Sequence, residues 1–283
     1  MCSSDLGSAV AVALGQVSFS LGTDTAGSGR VPASFNNIVG LKPTRGRLSA
    51  SGVVPACRTL DCVSIFAGSC ADALAVMRVA EGPDPADAYS RSVSPRYGAS
   101  PAVIGVPRAE QLLWFGDEIS PTLFRNAVER LERLGARIVS VDFAPFIDAG
   151  QLLYGGPWVA ERHAAIRDFF ARHLQDLLPV TREIIGGAEA YSATDTFLAQ
   201  YRLAEIAQRA APVWESIDAL CIPTAPTIYT AEAERAEPIR LNSTLGTYTN
   251  FVNLLDLCAL ALPSGMRPDG LPFGISLVAP AGY

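Results

Sequence analysis

Lysine is almost absent from this chain. Lys42 is the only one, beside twenty-one arginines. Any chemistry that needs a neutral lysine as base therefore has a single candidate. Histidine is nearly as scarce: His163 and His173 are the two occurrences, both in one predicted helix. A Ser-His-Asp triad would need one of them to reach a distant serine, and exposed helical histidines are the commoner case. A basic excess is lacking too. The formal net charge is −6, which argues against nucleic acid as a partner. Long hydrophobic runs are missing. Residues 7–21 are uncharged, but they follow Asp5, carry no basic flank and are too short to span a bilayer. Residues 254–262 are interrupted by Asp256. These features argue against a signal peptide, a membrane span and a membrane partner. Of six cysteines, Cys57 and Cys62 are separated by four residues, without metal spacing or neighbouring histidines. No metal and no cofactor are expected, and the thiols read as reduced in a cytoplasmic protein.

What is present in quantity is apolar. With 283 residues and 49% hydrophobic content, the chain can bury a large core. Its pivot is Leu21-Gly-Thr-Asp-Thr-Ala-Gly-Ser-Gly-Arg30, set between two more apolar stretches. Such a loop folds tightly and turns several N–H groups toward one spot. Ser28, just before a predicted helix start, is placed as an exposed nucleophile. The peptide N–H groups of Thr25, Ala26, Gly27 and Ser28 are candidates for an oxyanion hole. The plain alternative is a Gly-rich turn joining strand to helix. A phosphate loop is disfavoured, because no Gly-Lys-Ser/Thr follows. Asp24 and Arg30 read as an ion pair that fixes the loop.

Gly22-Thr-Asp-Thr-Ala-Gly-Ser28-Gly-Arg30, with Gly40-Leu-Lys-Pro-Thr44 and Gly46-Arg-Leu-Ser, resembles the amidase signature family. The likeness runs from about residue 3 to residue 70 and resumes near the C-terminus. It implies an α/β fold, a central mixed sheet with helices on both faces, and a Ser–cis-Ser–Lys triad that hydrolyses amide C–N bonds. Carried over, Ser28 is the nucleophile and Ser4, twenty-four positions earlier, is the second serine. Asp5 and Leu6 stand where the family has small residues. Lys42 resembles the family's structural Gly-Leu-Lys-Pro-Thr lysine, and the catalytic lysine lies upstream of the serine loop. The expectation is one incomplete amidase-signature domain over 1–283, with the lysine-bearing segment outside it and the C-terminal end also cut. Lys42 is the alternative base.

Further along, residues 7–14 read as a small-residue helix and residues 17–21 as a buried strand delivering the loop. Residues 30–36 begin a short helix and residues 71–80 form another. Residues 102–106, a helix capped by Ser120-Pro121 and ended by Gly135, and the alternating Val139, Val141 and Phe143 make a β-α-β unit. Helices follow at 157–174 and 195–217, then a strand at 219–223. A Pro-rich loop through Pro238, a polar stretch 242–253 and two strands, 258–262 and 273–278, complete the reading.

Four stretches narrow the resemblance: Val54–Cys62, Tyr154–Arg162, Gly246–Asp256 and Gly270–Gly274. They are similar to the allophanate hydrolase branch, which cleaves urea-1-carboxylate. That likeness implies that Tyr154 and Arg162 hold the substrate carboxylate, the arginine through two charge-assisted hydrogen bonds. It implies a small-molecule substrate and leaves room for a homodimer and for a urea carboxylase as pathway partner. Two other readings stand: another amidase or an amidotransferase component of the family, and a catalytically incomplete scaffold.

Overall fold

The structure is a computed structural model that describes residues 6–94 and 103–283. In chain order the N-terminal part holds α1 (Leu6–Ala13), β1 (Phe19–Asp24), α2 (Val31–Phe35), β2 (Val39–Lys42), β3 (Cys62–Ala67) and α3 (Cys70–Ala80). The middle holds β4 (Val103–Pro107), α4 (Ser120–Arg133), β5 (Arg137–Val141), α5 (Ala144–Gly155), α6 (Trp158–Arg172), α7 (Pro179–Gly186) and α8 (Ala193–Ser216). The remainder is β6 (Ala219–Pro223), α9 (Ala231–Ala236), α10 (Pro238–Leu245), α11 (Asn250–Leu254), β7 (Leu257–Met266) and β8 (Pro272–Pro280).

The strands form one eight-stranded sheet in the order β1-β3-β2-β7-β8-β6-β4-β5. Pairing is antiparallel from β1 to β6 and parallel among β6, β4 and β5. The β4-α4-β5 crossover supplies the parallel half, as the 3.6-residue period of its helix predicts. Alternation along the strands sends apolar side chains to both faces. In β6, Leu220 and Ile222 join Phe146, Ile206 and Phe251 under α5, α8 and α11. Their neighbour Cys221 joins Phe124 and Ala127 of α4 on the opposite face. In β3, Phe66 meets α1 and α2 while Ile65 and Ala67 meet α3. Helices therefore cover both faces of an open mixed sheet.

Four expectations need correction. The strand that delivers the loop is not buried: β1 is an edge of the sheet, paired on one side by β3, with Phe19 and Leu21 about half exposed. Ser120 does not cap α4. Asp117 does so, its Oδ1 accepting from the N–H groups of Ile119 (2.9 Å) and Ser120 (2.8 Å). Phe143 lies beyond the end of β5 and leads into α5. The Pro-rich loop and the polar stretch contain α9, α10 and α11. Alternating Ala and Glu behind a Thr230 cap account for α9, and burial of Phe251 and Val252 holds the short α11.

Candidate active site

β1 ends at Asp24 and the chain then turns through residues 25–30 into α2. The turn is built around the Asp24 carboxylate. Its Oδ1 accepts from the Gly27 N–H (2.9 Å) and its Oδ2 from the Gly29 N–H (3.1 Å). Arg30 closes the same loop as a two-pronged clamp, with Nε to Oδ2 at 2.8 Å and Nη2 to Oδ1 at 2.9 Å. Both side chains are fully buried. Burial works to raise the Asp24 pKa, but the charge and hydrogen bonds of Arg30, with Lys42 and the Gly29 N–H, hold it below the usual carboxylate range. The expected Asp24–Arg30 pair is thus present, and Ser28 rides on the turn it fixes.

Partners distant in sequence complete the clamp. Arg30 also donates to the Thr249 carbonyl (3.1 Å) and to Asn253 Oδ1 (3.2 Å). Asn253 in turn donates to the Asp24 carbonyl (2.6 Å) and the Leu60 carbonyl (2.9 Å). Gly27 is required on two counts. Its φ is +137°, and a Cβ there would come within 2.7 Å of the Thr249 Cβ. The Thr25 hydroxyl donates to Asp61 Oδ1, and Asp61 also accepts from the N–H groups of Ala56 (2.9 Å) and Cys57 (3.1 Å).

Ser28 is half-buried; Thr25, Ala26 and Gly27 are buried. Of the four N–H groups expected to form an oxyanion hole, that of Gly27 is directed at Asp24. Ser4 lies outside the described residues. Lys42 is fully buried, and its Nζ donates to the carbonyls of Pro43 (2.9 Å) and Leu257 (2.8 Å). The Lys42 side chain thus ties the end of β2 to the start of β7.

Tyr154 ends α5 and Arg162 lies on the first turns of α6, across the Gly155-Gly156-Pro157 break. The break folds the two helices so that the Arg162 guanidinium lies over the Tyr154 ring, 5.0 Å from its centroid, with Nη2 donating to the phenol oxygen at 3.4 Å. Both side chains line a pocket of about 240 Å³, together with Asn242, Ser243, Tyr191 and Ile184. Arg162 Nε is buried there without a hydrogen-bond partner among the described residues. Burial works to lower the Arg162 pKa, but Tyr154 and Cys57 outweigh burial and raise it above the ordinary arginine value. Leu153 and Tyr154 pack in one apolar cluster with Ala26 of the serine turn and Leu254. On the other side Leu245 of α10 packs on Val31, the first residue after the clamp. One lining residue of the arginine pocket, Tyr154, thus packs on the same cluster as Ala26 of the serine turn.

Cys57 is buried in this cluster, its thiol pushed up to about 12 chiefly by burial. Among the described residues no cluster of three or more His, Cys, Asp or Glu is arranged to hold a metal, and no helix is long and apolar enough to cross a membrane. Asp61, Thr249 and Asn253 are the parts of the site that sequence reasoning misses. All three fall inside family-like stretches, but their roles depend on contacts that no local spacing reveals.

An open mixed sheet thus carries a Gly-Ser turn under an aspartate–arginine clamp, with an arginine-lined pocket nearby. The Amidase family model matches residues 1–283, and the chain belongs to that family. It is 48% identical over 281 residues to the urea amidolyase of Saccharomyces cerevisiae, a match that covers 97% of this chain and 15% of that protein. It is 34% identical over 304 residues to a glutamyl-tRNA(Gln) amidotransferase protein of Synechococcus, over 96% of this chain and 62% of the relative. Among solved structures, a serine-to-alanine variant of Kluyveromyces lactis allophanate hydrolase superposes with a TM-score of 0.94 at 46% identity, covering 98% of this chain and 46% of that one. The chain thus spans less than two thirds of the length of these relatives.

Proposed function

We propose that this chain carries the amide-hydrolysing site of an allophanate hydrolase. The observation that carries this reading is the buried Arg162 guanidinium, its Nε unpartnered among the described residues, lining with Tyr154 a small pocket whose Tyr154 packs on the same cluster as Ala26 of the serine turn. A neutral aliphatic amide gives a cation in such a pocket no opposite charge to pair with. A small carboxylate does, and a charge-assisted pair in partial burial is strong.

In this reading Ser28 Oγ bonds to the amide carbon of urea-1-carboxylate while its proton passes to Ser4. The resulting oxyanion is held by the N–H groups of Thr25, Ala26 and Ser28, the Gly27 N–H being committed to Asp24. The C–N bond then breaks, and ammonia leaves with the proton returned through Ser4. Water hydrolyses the acyl-enzyme, and the released carboxy-carbamate decays to carbon dioxide and a second ammonia. A relay of two serines needs a neutral amine as its last acceptor. Lys42 is tied to two carbonyls, so these 283 residues are not assigned that acceptor. We place the reaction in the cytoplasm, beside an enzyme that carboxylates urea, and a homodimer fits the reading.

Ammonia release from allophanate tests it. Ser28→Ala is expected to abolish the reaction. Arg162→Ala is expected to lower kcat/KM for allophanate roughly 100-fold, the scale of removing one member of a buried charge pair, and to spare neutral amides. Equal losses on both substrates would favour the amidotransferase-like reading, which the similarity to the Synechococcus protein supports. The chain assayed alone is expected to turn over far below the ordinary enzyme range of about 10 s⁻¹; a rate in that range would make Lys42 the base.

A further inference from the structure

The serine turn and the arginine pocket are joined by one short segment, residues 56–61. At one end Asp61 takes the Thr25 hydroxyl of the serine turn on the same carboxylate that organises the segment's own Ala56 and Cys57 N–H groups. At the other end Thr59 is held by Glu161, the residue immediately before Arg162. The Thr59 N–H donates to Glu161 Oε1 at 2.6 Å and its hydroxyl to Oε2 at 2.7 Å. Between these ends the Cys57 thiol donates to the Trp158 carbonyl at 3.7 Å and lies against the Arg162 guanidinium. Asn253 holds the Leu60 carbonyl and the Asp24 carbonyl with one amide group.

We infer that Glu161 is a positioning residue for substrate recognition: through Thr59 it fastens the 56–61 segment to the start of α6, and so sets where the Arg162 guanidinium stands relative to Ser28. The inference rests on the assignment of Arg162 to the substrate carboxylate. Its chemistry is specific. Glu161 is an anion one residue from the cation that binds an anion. Acting by charge alone, its removal would strengthen carboxylate binding. Acting as a fastener, its removal lets the segment drift from Arg162, the side support of Cys57 is lost, and carboxylate binding weakens. The two roles predict opposite signs.

Calorimetric titration of the whole chain with malonamate, a carboxylate with a terminal amide, and with neutral malonamide separates them without turnover. Glu161→Ala is expected to weaken malonamate binding about tenfold, to leave malonamide binding and the melting temperature unchanged, and to be largely rescued by Glu161→Gln, whose amide oxygen still accepts from Thr59. Thr59→Val, which removes the other partner's hydroxyl, is expected to shift malonamate binding in the same direction. Unchanged or tighter malonamate binding in Glu161→Ala overturns the inference while Arg162 keeps its role. A wild-type chain that does not prefer malonamate over malonamide overturns the assignment of Arg162, and the inference falls with it.

Discussion

Asp24 is the residue around which the Ser28 turn is built. One carboxylate takes two backbone N–H groups of the turn and both prongs of Arg30, all away from solvent. Removing one member of a buried pair strands the other, which costs about 3–5 kcal/mol. Asp24→Asn is therefore expected to lower unfolding stability by that order at pH 7, measured by urea denaturation. The pH dependence has a definite sign. A carboxyl held below its usual range contributes fully above the ordinary unfolded value of about 4, and loses its contribution as pH falls through the lowered native value. The gap between wild type and variant should accordingly close on the acid side. Ser64 is the opposite case. Its hydroxyl is buried against Gly29, beneath the serine turn, and has no hydrogen-bond partner among the described residues. Leaving a buried hydroxyl unpaired costs about 1–3 kcal/mol, so Ser64→Ala is expected to keep or raise the urea midpoint.

Elements with a strong local pattern are legible in the sequence, and those held by packing are not. The β4-α4-β5 unit carries its own period, and α8 carries a Ser192–Asp195 capping box. Ser192→Ala should shorten the protected part of α8 in hydrogen exchange and cost about 1 kcal/mol. By contrast α11 has five residues, and it stands because Phe251, Val252 and Asn253 are enclosed. No sequence period marks such a helix. The same distinction holds for the site. Asp24 and Arg30 are six residues apart and can be paired by eye, as can the Gly-Ser turn between them. Asn253 meets Asp24 across 229 positions, and Asp61 meets Thr25 across 36. The character of β1 is misread for a related reason. An apolar strand reads as buried, but whether its flank is covered depends on which strand it neighbours, and β1 has β3 on one side alone among the described residues.

At the scale of the molecule, β1 leaves an apolar flank, with Leu14 67%, Phe19 45% and Leu21 48% exposed on or beside the sheet edge. Unprotected edges of this kind invite strand-to-strand association. Light scattering should show concentration-dependent self-association of the chain, and Leu21→Lys should reduce it. The clamp around Ser28 has a consequence for biogenesis. Its last fasteners, Thr249 and Asn253, are made more than two hundred residues after Asp24 and Arg30. A nascent chain emerging from the ribosome therefore carries Ser28 long before it carries the residues that complete the clamp around it. Synthesis must run almost to the end of these residues before the Ser28 turn is fastened, and a product stalled ahead of Thr249 would lack both that clamp and β7 and β8, which join the two halves of the sheet.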